Sequence, residues 1–507
     1  MKIARIFIVT ATLVVVGSAV EAGAAEGMWL PSQTHAIAAP MRAAGLQLDP
    51  PTLGDLNRPP LTAIVSLGGC SAAFLSPYGL IVTNHHCVYD SLQYNSKPGL
   101  DYLTDGFLAA TLGDELPASP GSRAYVIEEL RDVTSGIVKG TGSLVGRGRY
   151  DRIEANRKAL IAICEKQPSR RCDIRPYFGG RTYFLQQQLE IKDVRLVYAP
   201  AGGIGNFGGE TDNWQWPRHT GDFGFYRAYV APDGSSAAFD KANVPFRPKA
   251  WLPVARDGVK DGDFVMVAGF PGTTDRSRTA DEAAFAFETL YPLQQRQLAE
   301  YSDAIIAATA GNRDAEIRYA SILKGSDNYK KKLLGQIAGA DAISLIEKKR
   351  ADEAAFRAWV AADPVRQARY APAIAALDTL VVAGNKTALV SQTTGLLSRG
   401  QLYAAARLAY RWAQERAKPD AQRESGYQDR DRRQLSERLT QIEKRFDPVV
   451  DRKLFELALA DYRRLPASDR NTGFDQALAA IEPDTLTPRE ALDALYRLKS
   501  IQRKTPP

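Results

Sequence analysis

An α+β fold of more than one domain, a β-barrel or sandwich followed by a large all-α domain, is what this sequence predicts. Three observations point to it. The 507 residues exceed one ordinary domain, and an apolar share of 45% is enough to fill at least two cores. From Thr62 to Gly269 the chain is written in short β-prone runs divided by glycine and proline. Past Pro271-Gly272-Thr273-Thr274 it turns to Ala, Leu, Glu, Gln, Arg and Lys, with apolar residues spaced by three and four.

The first residues carry Lys2 and Arg5, an apolar run over 6–16, and the small residues Ala22-Gly23-Ala24-Ala25. That is the charge, core and cleavage order of a secretory signal, expected over residues 1–24. The run is short for a membrane span, and no other stretch is read as one. An exported, periplasmic protein is therefore expected. Losing Lys2, Arg5 and Glu21 with the signal lowers the formal charge from +7 to +6. This mild excess, scattered among Asp and Glu, gives no support to nucleic-acid binding. Four cysteines in an exported chain imply two disulfides, and the sequence-local pairing, Cys70 with Cys87 and Cys164 with Cys172, is preferred over the two crossed alternatives.

In chain order, strands are expected at 63–67, 71–75 and 80–83, a helix over 147–165, and strands at 195–198, 223–230 and 264–269. The helical domain runs from about 278 onward, with breaks at Asp363-Pro364, Ala417 to Pro419, Asp447-Pro448 and Thr487-Pro488. Residues 371–406 mix Ala and Leu without a fixed period, so no solenoid is assigned. The division is thus residues 25–276 and 277–507.

The chemistry centres on Thr83-Asn84-His85-His86-Cys87, which follows the apolar run Leu80-Ile81-Val82. Only His35, His85, His86 and His219 can supply an imidazole. A strand that delivers a histidine to a surface corner, beside a cysteine stapled to a neighbouring strand, offers a rigid general base of the kind a serine hydrolase needs. A packed structural histidine is the ordinary alternative. Zinc is a second, but neighbouring strand residues face opposite ways, so His85 and His86 do not readily share an ion. The other informative stretch spans 202–223, where glycines allow tight folding and Asn213, Trp214, Arg218 and Asp222 fill the loop with directional groups. No GxxxxGK[ST] pattern follows, so it is not a phosphate cradle. Asp222 stands where it can accept the Nδ1 proton of a histidine and hold its tautomer, or else serve as a turn residue.

These motifs resemble the bacterial exported dipeptidyl-peptidases of the S46 serine-peptidase group. The resemblance rests on Glu26-Gly27-Met28-Trp29, Gly69-Cys70, Thr83-Asn84-His85-His86-Cys87, Asp212-Asn213-Trp214, Trp216-Pro217-Arg218-His219-Thr220-Gly221-Asp222-Phe223 and Gly269-Phe270-Pro271-Gly272. It implies a chymotrypsin-like barrel with a large helical domain, His86 as general base, Asp222 as its orienting carboxylate, and Asn213, Trp214 and Asn328 as holders of the substrate's free α-amino group. It further implies oligopeptide substrates, no cofactor, no metal and a homodimer. The group's nucleophile lies in a Gly-Asn-Ser-Gly-Ser-Pro segment, which is absent from the 507 residues. The barrel is therefore expected to be incomplete, and the reading frame truncated before the nucleophile. Three other classes stay open: a non-catalytic binder of peptide N-termini, an inert fragment, and a metal-assisted hydrolase built on His85, His86 and Asp222.

Overall fold

The computed structural model describes residues 28–479 other than 57, 273, 274 and 276. The expected signal, the Glu26-Gly27 half of the first motif and the Thr487-Pro488 break lie outside the described residues. The sheet-forming part supplies eleven strands: β1 (Ile64–Ser66), β2 (Ser71–Phe74), β3 (Leu80–Thr83), β4 (Phe107–Leu108), β5 (Leu116–Pro117), β6 (Ala124–Asp132), β7 (Arg170–Tyr177), β8 (Thr182–Ile191), β9 (Asp193–Ala199), β10 (Gly224–Val230) and β11 (Val244–Pro245). They form one sheet in the order β4-β9-β10-β3-β2-β1-β6-β8-β7, with β5 added to β9 and β11 to β10. Every pairing is antiparallel. Described as a path, the sheet is open at β4 and β7, so its ends are edges.

β3 and β10 are central to the site. Alternating Ile81 and Thr83 turn inward on β3, while β10 pairs Gly224 with Thr83 and Tyr226 with Ile81. Phe74, Ile81, Val88, Leu92, Leu196 and Tyr226 close the core beneath them, so the helix α1 (His85–Asn95) that leaves β3 is packed through Val88 and Leu92. Burial of side chains of this size contributes about 1.5–3 kcal/mol each.

The helical part comprises α2 (Gly146–Cys164), inserted in the sheet region, then α3 (Tyr291–Thr309), α4 (Arg313–Ala342), α5 (Leu345–Ala361), α6 (Pro364–Leu396), α7 (Gln401–Arg416), α8 (Arg432–Arg445) and α9 (Pro448–Arg463). Tyr301 and Ile305 of α3, Tyr319 of α4, and Val450 and Leu454 of α9 pack into one cluster. The breaks follow helix chemistry. Asp363 accepts from Arg366 N and Asp447 from Val449 N and Val450 N, each with proline as the first helical residue.

Four expectations need correction. Residues 264–269 form no strand: Val267 is 97% exposed, and a β-prone run without a paired neighbour gains no ladder. Conversely β6, β7 and β8, rich in Arg, Glu and Gln, were not foreseen, because polar side chains hide the β7–β8 hairpin and β6 joins β8 only across a long stretch of chain. His85 and His86 begin a helix instead of ending a strand. Finally, the segment Pro364–Arg399 is long enough to cross a membrane and holds an 18-residue stretch apolar enough to do so by composition, with a mean hydropathy of 1.4 and 6% of it buried. Its alanines and valines supply that hydropathy without the leucine run that marks a span to the eye.

Candidate active site

β3 stops at Thr83, Asn84 takes an extended backbone (φ −74°, ψ 152°), and α1 starts at His85. The Asn84 side chain does not cap its own helix. Asp222 does so from across the sheet: its Oδ1 accepts from His86 N at 3.1 Å, satisfying a donor that a helix start leaves open. The same carboxylate receives His86 Nδ1, 2.9 Å from Oδ2 and 3.2 Å from Oδ1, and Asn84 Nδ2 at 3.2 Å. One group therefore caps the helix and orients the imidazole. With Nδ1 donating, Nε2 keeps the lone pair that a base requires. The side chain of His86 is 54% exposed and that of Asp222 21%, so the base faces open space while its partner is sheltered. Burial works to raise the Asp222 pKa, but the hydrogen bonds from His86 together with the electrostatic pull of His86 and His85 outweigh it and hold the carboxyl below its ordinary value. Stacking of Phe223 on Tyr198, ring centroids 6.0 Å apart, fixes the chain beside Asp222.

The Cys70–Cys87 disulfide ties the turn before β2 to the first turn of α1, next to His86. Closing a loop with a sequence separation of 17 contributes about 3 kcal/mol in the chain-entropy account. Cys164 and Cys172 are joined likewise, across the α2–β7 hairpin.

His85 does different work. It is 1% exposed, its ring hydrogen-bonds the Pro200 carbonyl, and its Nε2 is buried without a partner. Burial lowers its pKa, keeping it neutral. A Cβ on Gly205 would meet the ring at 2.4 Å, so only glycine lets the 202–209 loop lie against it. A metal set of His85, His86 and Asp222 is opposed by this burial. The ligand atoms of Cys70, His86 and Cys87 lie within 4.8 Å of one another, but both sulfurs belong to the disulfide.

The loop then delivers Asn213 and Trp214 to α4. Asn213 Nδ2 donates to Asn328 Oδ1 at 2.9 Å, and Trp214 Nε1 donates to the same oxygen at 3.0 Å. Trp214 holds a positive φ of 58°, a costly conformation for an indole-bearing residue, and is 58% exposed. The sequence-derived site residues thus fall into two sets: His86 with Asp222, and Asn213, Trp214 with Asn328. Sequence reasoning gave no site role to Asn84, Glu210 or Lys324, and named Arg218 only as a group that fills the loop. Asn84 and Arg218 sit inside the quoted motifs, Glu210 lies in the 202–223 stretch, and Lys324 lies one helical turn before Asn328, which is the signal that could have found it.

Comparison with known proteins is decisive at this point. The Peptidase S46 family model matches residues 24–505. The chain belongs to the peptidase S46 family. An Asp/Glu-specific dipeptidyl-peptidase of Shewanella putrefaciens is 40% identical over 483 residues, covering 95% of this chain and 65% of that protein. Dipeptidyl-peptidase 7 of Porphyromonas gingivalis is 35% identical over 374 residues, covering 71% of this chain and 51% of its own length. This S46 chain therefore spans between half and two thirds of these curated relatives. Among solved structures, Porphyromonas endodontalis DPP11 in complex with the dipeptide Arg-Glu is similar with a TM-score of 0.73 at 26% identity, covering 95% of this chain and 70% of that one. The mixed sheet-plus-helix architecture is the one this solved structure has.

Proposed function

We propose that this chain is the base-bearing and amine-binding part of a serine-type dipeptidyl-peptidase, acting on oligopeptides with a free N-terminus. The observation that carries the reading is the contact of His86 Nδ1 with Asp222 Oδ2 at 2.9 Å, in the same loop system that joins Asn213 and Trp214 to Asn328. His86 Nε2 takes the proton of an attacking hydroxyl, and Asp222 steadies the imidazolium that forms. A peptidase that removes two residues must count from the N-terminus, and groups fixed beyond the scissile bond set that distance. The boundary at 276/277 belongs to this proposal: residues 25–276 carry the base, and residues 277–507 bring Asn328 against Asn213 and Trp214. Action in the periplasm as a homodimer rests on the S46 resemblance alone.

The bonds that join Asn213 and Trp214 to Asn328 support a second reading, a binder of peptide N-termini that does not cleave. Release of a dipeptide from a chromogenic substrate by the purified chain, with His86→Ala as control, separates the two. Turnover lost in His86→Ala supports the peptidase; no turnover with retained peptide binding supports the binder.

A further inference from the structure

We propose that Glu210 is the anionic group that receives the ammonium of a peptide N-terminus, beside Asn213; this rests on the amine-binding reading above. Asn213, Trp214 and Asn328 are uncharged, yet two cations stand against them. Arg218 Nη1 donates to Asn213 Oδ1 at 3.0 Å, and Lys324 of α4 reaches into the same network. An incoming ammonium placed between them is repelled unless a carboxylate is at hand.

Glu210 is that carboxylate. Its Oε2 accepts from Asn213 Nδ2 at 2.8 Å, and its Oε1 pairs with Lys324 Nζ at 2.7 Å. Asp222 is bonded to His86 and Asn84, and Asp327 to Lys330 and Ser302, while the Asp212 carboxylate lies over Gly208 and, among the described residues, makes no bond to Asn213, Trp214 or Asn328.

The hydrogen-bond inventory narrows the acceptors further. Asn213 is 6% exposed, and both hydrogens of its Nδ2 are used, one by Glu210 and one by Asn328 Oδ1. Flipping its amide would turn those two bonds and the one from Arg218 into repulsions, so its sense is fixed. Asn328 Oδ1 is filled by Asn213 and Trp214. Among these side chains, what remains for an ammonium is the second lone pair of Asn213 Oδ1 and the free lone pairs of Glu210. Lys324 then acts as an internal stand-in for the ligand, and binding exchanges one cation on Glu210 for another.

The test is calorimetry on the full 507-residue chain with the dipeptide Arg-Glu and with its N-acetylated form. The wild type binds the free amine and rejects the blocked one. Glu210→Gln weakens the free dipeptide by about tenfold or more and leaves the thermal unfolding temperature unchanged. Lys324→Met tightens it, because the competing cation is gone; a merely structural Lys324–Glu210 pair predicts weakening in both variants. A wild type indifferent to acetylation overturns the amine-binding reading itself. Discrimination in the wild type with Glu210→Gln equal to it overturns only the role of Glu210. If Glu210→Gln does not fold, Lys324→Met decides: tighter binding upholds the proposal and weaker binding overturns it.

Discussion

Two of the places where the helices meet the sheet use charge differently. At the Cys164–Cys172 hairpin the contact is sheltered and tied to backbone. Arg171 pairs with Asp431, which is 5% exposed, and donates to the Arg430 carbonyl at 3.0 Å. Arg430 in turn pairs with Glu165 at 2.9 Å and donates to the Cys172 carbonyl at 2.9 Å. At the glycine-rich loop, Lys324 and Asn328 reach Glu210, Asn213 and Trp214 chiefly through side chains, and Trp214 remains open to solvent. The charged side chains are comparably sheltered, Lys324 and Glu210 at 19% and 29% against Arg171 and Asp431 at 18% and 7%, but the loop contact opens to solvent at Trp214, where its groups can fall back on water. The first contact is thus built to hold the helical part in place, and the second to change partners when a ligand arrives.

Breaking the hairpin contact has the largest expected effect. Asp431→Ala leaves Arg171 and Arg430 to share Glu165, and lowers stability by about 3–5 kcal/mol in urea unfolding. Removing the staple beneath it, with Cys164→Ser and Cys172→Ser together, costs about 2.5 kcal/mol by the same measurement, given a sequence separation of 8. In the glycine-rich loop, Gly205→Ala forces a methyl into the His85 ring and costs about 1–3 kcal/mol, with loss of free-amine binding beyond the loss of stability. Glu210→Ala costs about 1–3 kcal/mol in unfolding, because the buried Asn213 loses an acceptor, while its effect on binding is large. A stability cost equal to that of Asp431→Ala removes the distinction between the two contacts.

The smallest effect is with pH. Burial keeps the folded pKa of His85 below its ordinary 6.5, so below that pH the unfolded chain takes a proton that the folded chain refuses. Stability therefore falls as pH drops from about 6.5, and His85→Leu flattens that slope. Asp222 acts in a lower window. Its folded pKa is depressed, so its contribution is present above the unfolded value of 3.8 and is lost as pH falls below it. Unfolding midpoints measured from pH 7 to pH 3 in wild type, His85→Leu and Asp222→Asn resolve the two windows. A wild type and His85→Leu with the same slope between pH 7 and 5 removes His85 as the source.

Much of the local structure was legible before folding was considered. The change at Pro271-Gly272, the helix over 146–164 and the breaks at Asp363-Pro364 and Asp447-Pro448 are written in spacing and capping chemistry that act within a turn or two. Other elements were not. The polar strand β8 forms because β6 and β7 flank it on both sides, and no window of ten residues contains that fact. For residues 264–269 the error ran the other way, since strong β-propensity yields nothing without a neighbour. The two histidines were misplaced on a strand because the start of α1 is capped from position 222, not by the side chain of Asn84 beside it.

The sequence by itself determined which chemical groups exist and where the chain turns: four histidines, a cysteine adjoining one of them, a glycine-rich loop and a long helical half. Only the tertiary structure decided which of those groups meet. Asp222 lies 136 residues from His86, and Glu210 lies 114 from Lys324. Hydrogen bonds and ion pairs depend on distances of a few ångströms, and over such separations those distances follow from how β3, β10 and α4 pack, not from any spacing along the chain.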